Sequence, residues 1–321
     1  MAASPAKRLR GRLPVMADRV RVSKPGGSGF AVHWSALIAQ RAGLYAAEGL
    51  EVEIVQLDQD AGTAALLSGE VPIMRRGPDE TIAQIAAGAP LRLLAGLVRT
   101  PPIDLYVTPD VTSIAALRGR TIAGISARFG SSLALRLLLE DEGLMPADVH
   151  IVHAGGSIER LLAMREGRAS AAVLSPPADR HARDAGFVAR ASFPQRYPRL
   201  LFSAIQGQTA YVDAHPDIVT RLLMADVRAQ RRLCDPRYKD ESIAFLAEAD
   251  GIRIEEATAC YETMVERDRV FLPDADIGPA DLQLLLETMI RFGEVPMTLA
   301  SDHVVDDRFL REAQRRIGPR A

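Results

Sequence analysis

The chain has 321 residues, of which 48% are hydrophobic and 25% charged, and its formal net charge at pH 7 is −2. A chain of this size buries a substantial core and typically divides into two domains. The nearly balanced charge, with no dense basic stretch interleaved with aromatic residues, argues against a nucleic-acid partner.

The sequence carries no motif for a metal, a disulfide or a nucleotide cofactor. Its two cysteines, Cys234 and Cys260, have no CxxC spacing. No GxGxxG follows a predicted strand, and the HExxH, GxSxG and GxxxxGKS/T motifs are absent. We therefore predict no cofactor and no metal site.

Residues 1–19 are predicted to form a disordered N-terminal arm. They carry positive charge, as the first region of a signal peptide does, but no apolar stretch of about 7–15 residues follows before the first predicted strand. As written, the chain is expected to be cytoplasmic. A different start, for which Met16 is a candidate, would leave a periplasmic or other extracytoplasmic location open. No apolar run of about 18 residues predicts a membrane span.

In chain order, alternation predicts a strand over 19–23, and a glycine-rich loop follows it. Helical periodicity then runs over 33–48, with Gly49 as a natural end. The first half is completed by a strand over 52–57, a helix over 63–68, a strand over 71–74, a helix over 78–87 and a strand over 91–98.

The same alternation then starts again after an extended segment over 103–108. Its predicted elements are a strand within 116–126, a helix within 127–144, a strand over 150–153, a helix over 158–166, a strand over 169–174 and a helix over 176–186. A second extended segment covers 200–206, and almost everything from 215 to 316 is predicted to be helical. We interpret the two extended segments as antiparallel crossings between lobes.

An internal echo supports this division. Residues 148–178 repeat the design of residues 51–80: a strand, a polar loop, a helix, a glycine (Gly167 or Gly69), a short apolar strand and a proline-containing loop. A duplicated βαβα unit predicts two similar α/β lobes that face each other across a cleft. The first predicted lobe consists of residues 20–104 and 204–321 and includes the C-terminal helices. The second predicted lobe consists of residues 105–203.

Ligands of open α/β sheets bind at the carboxyl ends of strands, where helix N-termini present free N–H groups and partial positive charge. The best loop of this kind is 126–132, since its glycine permits close backbone approach and its serines donate hydroxyls. Arg75 and Arg76 suit a carboxylate, sulfonate or sulfinate, although a solvated pair on the rim is the alternative. The predicted ligand-binding residues are Phe30, His33, Trp34, Arg75, Arg76, Arg99, Ser126, Arg128, Gly130, Ser131, Ser132 and Ser175.

Arg75 is expected to face Ser131 and Ser132 across the cleft, so that the guanidinium and a helix N-terminus share one anion. We expect it to have no buried partner in the empty protein.

Four segments carry a resemblance to a known family: HWSALIAQRAGLYAAEGLEVEIVQ, AALLSGEVPIM, GRTIAGISARFGSSLALRLLLEDEGL and DVHIVHAGGSIERLLAMREGRASAAVLSPPADRHARDAG. Together they resemble the type II periplasmic substrate-binding proteins of the nitrate, taurine, sulfonate and thiamine-precursor group, over residues 20–230. The resemblance implies a two-lobed fold with two hinge crossings. It also implies a solute-binding protein for a small organic anion, with an ABC permease and ATPase as partners. We expect a monomer.

Arg75-x-Gly77 also resembles the Arg-x-Gly-Gly loop of the aromatic sulfinate desulfinases, cytosolic enzymes of the same fold. Pro78 replaces the second glycine, and the loop 24–33 contains no cysteine where those enzymes carry their nucleophile. The alternative function is therefore a decarboxylase, lyase or desulfinase-like enzyme that acts on an aromatic or related organic acid through His33 and Arg75.

Overall fold

The computed structural model describes residues 17–25, 30–124 and 130–320. Within these residues the strands form two five-stranded sheets. The first sheet contains β1 (Asp18–Pro25), β2 (Leu50–Leu57), β3 (Ile73–Arg76), β4 (Leu91–Val98) and β10 (Ser203–Gln208). The second contains β5 (Asp104–Val107), β6 (Thr121–Gly124), β7 (His150–His153), β8 (Ala171–Leu174) and β9 (Val188–Ser192).

The helices alternate with these strands and then dominate the C-terminal third. Those of the two sheet regions are α1 (Phe30–Arg41), α2 (Leu44–Ala47), α3 (Gln59–Ser68), α4 (Asp79–Ala86), α5 (Ser131–Asp141), α6 (Ser157–Arg165), α7 (Ala178–Asp184) and α8 (Phe193–Arg196). The C-terminal helices are α9 (Thr209–Ala214), α10 (Pro216–Leu233), α11 (Lys239–Asp250), α12 (Ile254–Tyr261), α13 (Pro279–Arg291) and α14 (Arg308–Ile317), and a π-helical segment, Glu262–Arg267, continues α12.

The two sheets have matching topologies. The first has the order β2-β1-β3-β10-β4 and the second the order β7-β6-β8-β5-β9. β1 is parallel to β2 and β3, and β6 is parallel to β7 and β8. In each sheet one antiparallel strand, β10 or β5, lies between two others. The structure thus has the two α/β lobes that the sequence predicts, while the exact limits 20–104 with 204–321 and 105–203 stay a prediction.

Two elements differ from the sequence-based prediction in a way that matters for the site. The helix predicted over 33–48 is divided, because Gly43 has a left-handed φ of 68° and separates α1 from α2. The strand predicted over 71–74 runs from Ile73 to Arg76. Arg75 and Arg76 are therefore part of the strand instead of the loop that follows it. β9 was not predicted at all.

Two large apolar clusters hold the molecule together. One packs the first sheet against α1, α10 and α11, and includes Trp34 and Leu223. The other is continuous between the sheets, since it joins Leu93 of β4, Leu105 of β5 and Leu285 of α13. α13 and the turn after it are also tied to α5 by ion pairs, Arg291 with Glu140 at 3.4 Å and Glu294 with Arg136 at 2.8 Å. The lobes consequently share one packed side.

In the part of the chain that the structure describes, no helix combines the length and the apolar character that a membrane crossing requires.

Candidate functional site

The second lobe places two serines together where β8 ends and α6 begins. Ser175 follows the last residue of β8, and Ser157 is the first residue of α6. Their hydroxyl oxygens lie 2.9 Å apart, and the backbone N–H of Ser175 donates to Ser157 Oγ at 3.1 Å. The predicted site residue Ser175 is thus joined to the N-terminus of the helix beside it.

Arg160, one turn into α6, extends this pair. Its side chain is buried, with 3% of the residue exposed. Nη2 donates to Ser157 Oγ at 2.9 Å and Nε to the Gly156 carbonyl at 3.1 Å, whereas Nη1 is buried and has no hydrogen-bond partner in the part of the chain that the structure describes. Burial lowers the pKa of the guanidinium to about 10, and the neighbouring Glu159 offsets only part of that effect.

Arg160 was missed in the sequence-based prediction, although the sequence contains a signal for it. Ser157, Arg160, Leu161 and Met164 share the spacing of one helical face, and all four are buried. An arginine on the apolar face of an amphipathic helix is the unusual feature. Arg160 lies inside a helix, so a search for site residues in loops at strand ends does not reach it.

The N-terminus of α5 meets a carboxylate from the other lobe. Gly130 precedes α5, and its N–H donates to Oδ2 of Asp79, the first residue of α4. Burial raises the pKa of Asp79. Ser131 and Ser132 are also buried here, and Ser131 Oγ has no hydrogen-bond partner within the described part of the chain. Two helix N-termini, one from each lobe, therefore approach each other around a negative charge.

Arg75 does not lie in the cleft, and the prediction that it lacks a buried partner is wrong. It is 1% exposed, and its Nη1 donates to Asp226 Oδ1 at 2.7 Å. Nη2 donates to Ser35 Oγ at 2.7 Å, and the Tyr45 hydroxyl donates to the same Asp226 oxygen at 2.9 Å. As part of β3 instead of the loop after it, Arg75 points toward α1 and α10, and its bonds to Ser35 and Asp226 leave it unable to share an anion with Ser131 and Ser132.

Arg76 points to the opposite face, as successive residues of a strand do. It is buried, so the alternative of a solvated arginine pair on the rim is also wrong. Its Nη2 donates to the Asp58 carbonyl at 2.8 Å, next to the start of α3. Arg76 thus supports the loop between β2 and α3.

Trp34 belongs to the core, which contradicts its prediction as a ligand contact. It has no exposed surface, and its indole N–H donates to the Ser242 carbonyl at 3.2 Å. Its ring meets those of Tyr261 and Phe271 edge to face, each with centroids 5.9 Å apart. Trp34 therefore stabilises the packing of α1 in the core.

His33 is part of a second polar cluster, near the carboxyl end of β1. Its Nε2 lies 3.8 Å from Asp250 Oδ1, too far for a hydrogen bond. His33 Nδ1 and Asp250 Oδ2 are buried, and neither has a hydrogen-bond partner among the residues that the structure describes. Burial lowers the pKa of Lys24, at the end of the strand, and Asp250 opposes that shift.

The remaining predicted residues divide into three groups. Arg99 is partly exposed, with Nε 3.7 Å from Asp281 Oδ2; its contact with a ligand stays a prediction, as do those of Gly130, Ser131, Ser132 and Ser175. Phe30 is the first residue of α1, and the structure does not describe its side chain. Ser126 and Arg128 lie outside the described residues.

The described residues contain no cluster of histidine, cysteine and acidic side chains suited to a metal ion. Burial raises the pKa of Cys234 and of Cys260 to about 12. Both thiols are consequently protonated at neutral pH and poor nucleophiles.

Each of the two sheets contains one strand that runs antiparallel to its neighbours. This topology defines a two-lobed type II periplasmic-binding-protein-like fold, as predicted. The family model described as NMT1/THI5 like matches residues 31–234, and the chain belongs to this family. The comparison with curated proteins gives no match.

Three solved structures illustrate the likeness in fold. The nitrate-binding protein NrtA from Synechocystis PCC 6803 is 15% identical to this chain, with a TM-score of 0.76, and the match covers 94% of this chain and 89% of the NrtA chain. A putative periplasmic sulfonate-binding protein SsuA from Methylobacillus flagellatus KT is 18% identical with a TM-score of 0.75, covering 94% and 95%. The desulfurization enzyme DSZB is 17% identical with a TM-score of 0.69, covering 94% and 100%. At these identities the likeness shows the fold alone.

Proposed function

We propose that the protein is the solute-binding component of an ABC-type uptake system and closes on a small organic anion. The candidate ligands are a sulfonate, a nitrate-like anion or an aromatic carboxylate. Family membership supports this proposal, and so do structural neighbours whose names identify them as sulfonate- and nitrate-binding proteins. An ABC permease and ATPase would be its partners.

The observation that carries the proposal is the contact between Asp79 and the Gly130 N–H. It joins the start of α4 in one lobe to the start of α5 in the other. Free N–H groups and the helix dipole make such a place favourable for negative charge. The buried carboxylate of Asp79 is an example of a negative charge accommodated at this place.

His33 keeps a second candidate function open, an enzyme of the same fold that acts on an organic acid. A buried imidazole with an unpartnered Nδ1 close to Asp250 is suited to proton transfer. Arg75, however, is held by Asp226, and the two cysteine thiols are protonated, so neither supplies the other half of a mechanism. A solute-binding function therefore explains more of the described site residues than a catalytic function does.

A thermal-shift screen tests the proposal. The anions are methanesulfonate, taurine, nitrate, benzoate and benzenesulfonate, with benzamide as a neutral control and sodium chloride at matched ionic strength. An anion at a hundredfold excess over its Kd stabilises the folded protein by about 2.7 kcal/mol. A rise in melting temperature with at least one anion and with neither control is expected; no rise with any of the five contradicts the proposal.

Two further measurements separate the receptor from the enzyme. Chromatography of each incubated anion should show it unchanged, whereas a product that disappears with His33→Ala would favour the enzyme. Fractionation of cells that carry the gene with its native upstream DNA locates the protein. Recovery outside the cytoplasm supports the receptor, and recovery with cytoplasmic markers supports the enzyme.

A further inference from the structure

We propose that Arg160, together with Ser157 and Ser175, forms the anchor that binds the acidic group of the ligand in the second lobe. This inference rests on the proposed function and names the residues that carry it out. The sulfonate or carboxylate oxygen would accept from Arg160 Nη1 and from the Ser175 hydroxyl.

The first argument is the missing counter-charge. A buried charge is normally paired, because an isolated one loses its hydration without compensation. Arg160 is 3% exposed, yet its only hydrogen bonds among the described residues go to a serine hydroxyl and a backbone carbonyl. Glu159 acts on the guanidinium from nearby, but none of the described residues places a carboxylate in contact with it, and an anionic ligand would supply that contact.

The second argument is the direction of the hydroxyl hydrogens. A serine hydroxyl has one hydrogen to donate and two lone pairs with which to accept. Ser157 Oγ already accepts from Arg160 Nη2 and from the Ser175 N–H. Its own hydrogen is therefore directed to Ser175 Oγ, 2.9 Å away. The hydrogen of Ser175 is then left for another acceptor.

The third argument is rigidity. Nε and Nη2 of Arg160 are both held, so the plane of the guanidinium is fixed and Nη1 has one direction. A planar guanidinium beside a hydroxyl donor matches the several oxygens of a carboxylate or sulfonate. A donor that is fixed before binding loses little conformational entropy when the ligand arrives.

The fourth argument is position. Ser175 follows β8, and α6 follows β7, so the cluster lies at the carboxyl edge of a parallel part of the sheet. α5 begins at the same edge, after β6. This is the edge at which open α/β sheets bind ligands.

The test is calorimetric titration of the five anions named above into wild type, Arg160→Met and Arg165→Met. Arg165 lies on the same helix but is exposed, so R165M is the matched control. R160M is expected to weaken the binding of an anion that wild type binds by about 10- to 150-fold. R165M should bind as wild type does.

A readout without ligand separates an anchor from a structural arginine. Since R160M removes an unpaired buried charge, its melting temperature without anion should stay close to that of wild type or rise. A large fall in melting temperature with unchanged affinity would overturn the proposal.

If R160M does not fold, calorimetric titration of Ser175→Ala and Arg160→Lys tests the anchor instead. S175A is expected to weaken binding about 2- to 10-fold, and R160K, which keeps the charge but loses the planar fork, should also weaken it. Wild-type affinity in both variants overturns the anchor alone. Failure of wild type to bind any of the five anions overturns the anchor and the proposed function together.

Discussion

Arg75 and Arg160 lie in different lobes and are almost equally buried, but within the described residues only Arg75 has a carboxylate partner. Arg75 meets Asp226, Ser35 and, through the shared carboxylate, Tyr45. Arg160 contacts a serine and a carbonyl, and its Nη1 has no hydrogen-bond partner among residues 17–25, 30–124 and 130–320. Burial alone therefore does not distinguish a structural arginine from a ligand-binding one.

The difference lies in what each guanidinium requires to be stable. Arg75 is paired with the carboxylate of Asp226 inside the first lobe, so its charge is balanced without a ligand, although Arg75 Nε and Asp226 Oδ2 have no hydrogen-bond partner among the described residues. Around Arg160 the charge balance is incomplete, so an anion would find a site already oriented. Removing the partner should consequently damage folding in the first lobe, and removing the arginine should damage binding in the second.

The largest effect is expected for Asp226→Ala, which leaves Arg75 buried without a counter-charge. We expect the free energy of unfolding to fall by about 3–5 kcal/mol, measured by urea denaturation. Asp217→Ala is the control, because Asp217 is on the same helix but forms an exposed ion pair with Arg221, for which a loss of about 0–1 kcal/mol is typical. Equal losses in the two variants would contradict the structural role of the Arg75 pair.

Replacing both Arg75 and Asp226 tests whether the two buried charges stabilise each other. Arg75→Met with Asp226→Leu removes both charges and fills the space with apolar atoms. The double variant should be more stable than either single variant, since neither charge is left uncompensated. Strict additivity of the two single losses in urea denaturation would show that the residues do not interact.

The carboxyl group of Asp104, in β5 of the second sheet, should make the stability of the protein depend on pH. Burial, with the nearby charge of Asp179, raises the pKa of Asp104 from 3.8 to about 6. Between these values the folded state holds a proton that the unfolded state has released, so stability falls as pH rises through the window and stays lower above it.

Asp104→Asn removes this penalty and should stabilise the protein at pH 7 by up to about 3 kcal/mol. The gain should vanish below pH 4, where wild type is protonated in both states. The control is Asp110→Asn, at an exposed residue paired with Arg120, and it should show no gain at pH 7. Melting temperatures across this pH range decide, and a gain in D104N that does not depend on pH would contradict the assignment.

The smallest effect is expected for Asp79→Asn. The carboxylate of Asp79 occupies the Gly130 N–H, where it repels an approaching anion. Two unit charges about 4 Å apart interact by about 1 kcal/mol in water, or about fivefold in Kd, and because Asp79 is buried this is the lower limit of the repulsion. D79N should therefore bind the anion about fivefold or more tightly than wild type in calorimetric titration, and weaker binding would show that Asp79 assists the ligand.

The sequence allowed the fold to be predicted because the repeated unit around Gly69 and Gly167 reports local structure. The candidate site was harder to predict from the sequence than the fold was. Periodicity shows that a helix face is buried, as for Trp34, but not which side chain lies across from it. Asp226 is 151 residues from Arg75 in the sequence, and only the folded chain shows their pairing. Because the end of β3 was predicted two residues early, Arg75 was assigned to a loop at the cleft instead of to a strand that packs on the core.

A crystal structure of the protein with the anion that gives the largest thermal shift tests the central claim most directly. We predict a ligand oxygen about 3 Å from Arg160 Nη1 and another within hydrogen-bond distance of Ser175 Oγ, while Arg75 remains paired with Asp226. An anion bound elsewhere, with Arg160 Nη1 still unpartnered, would contradict the account.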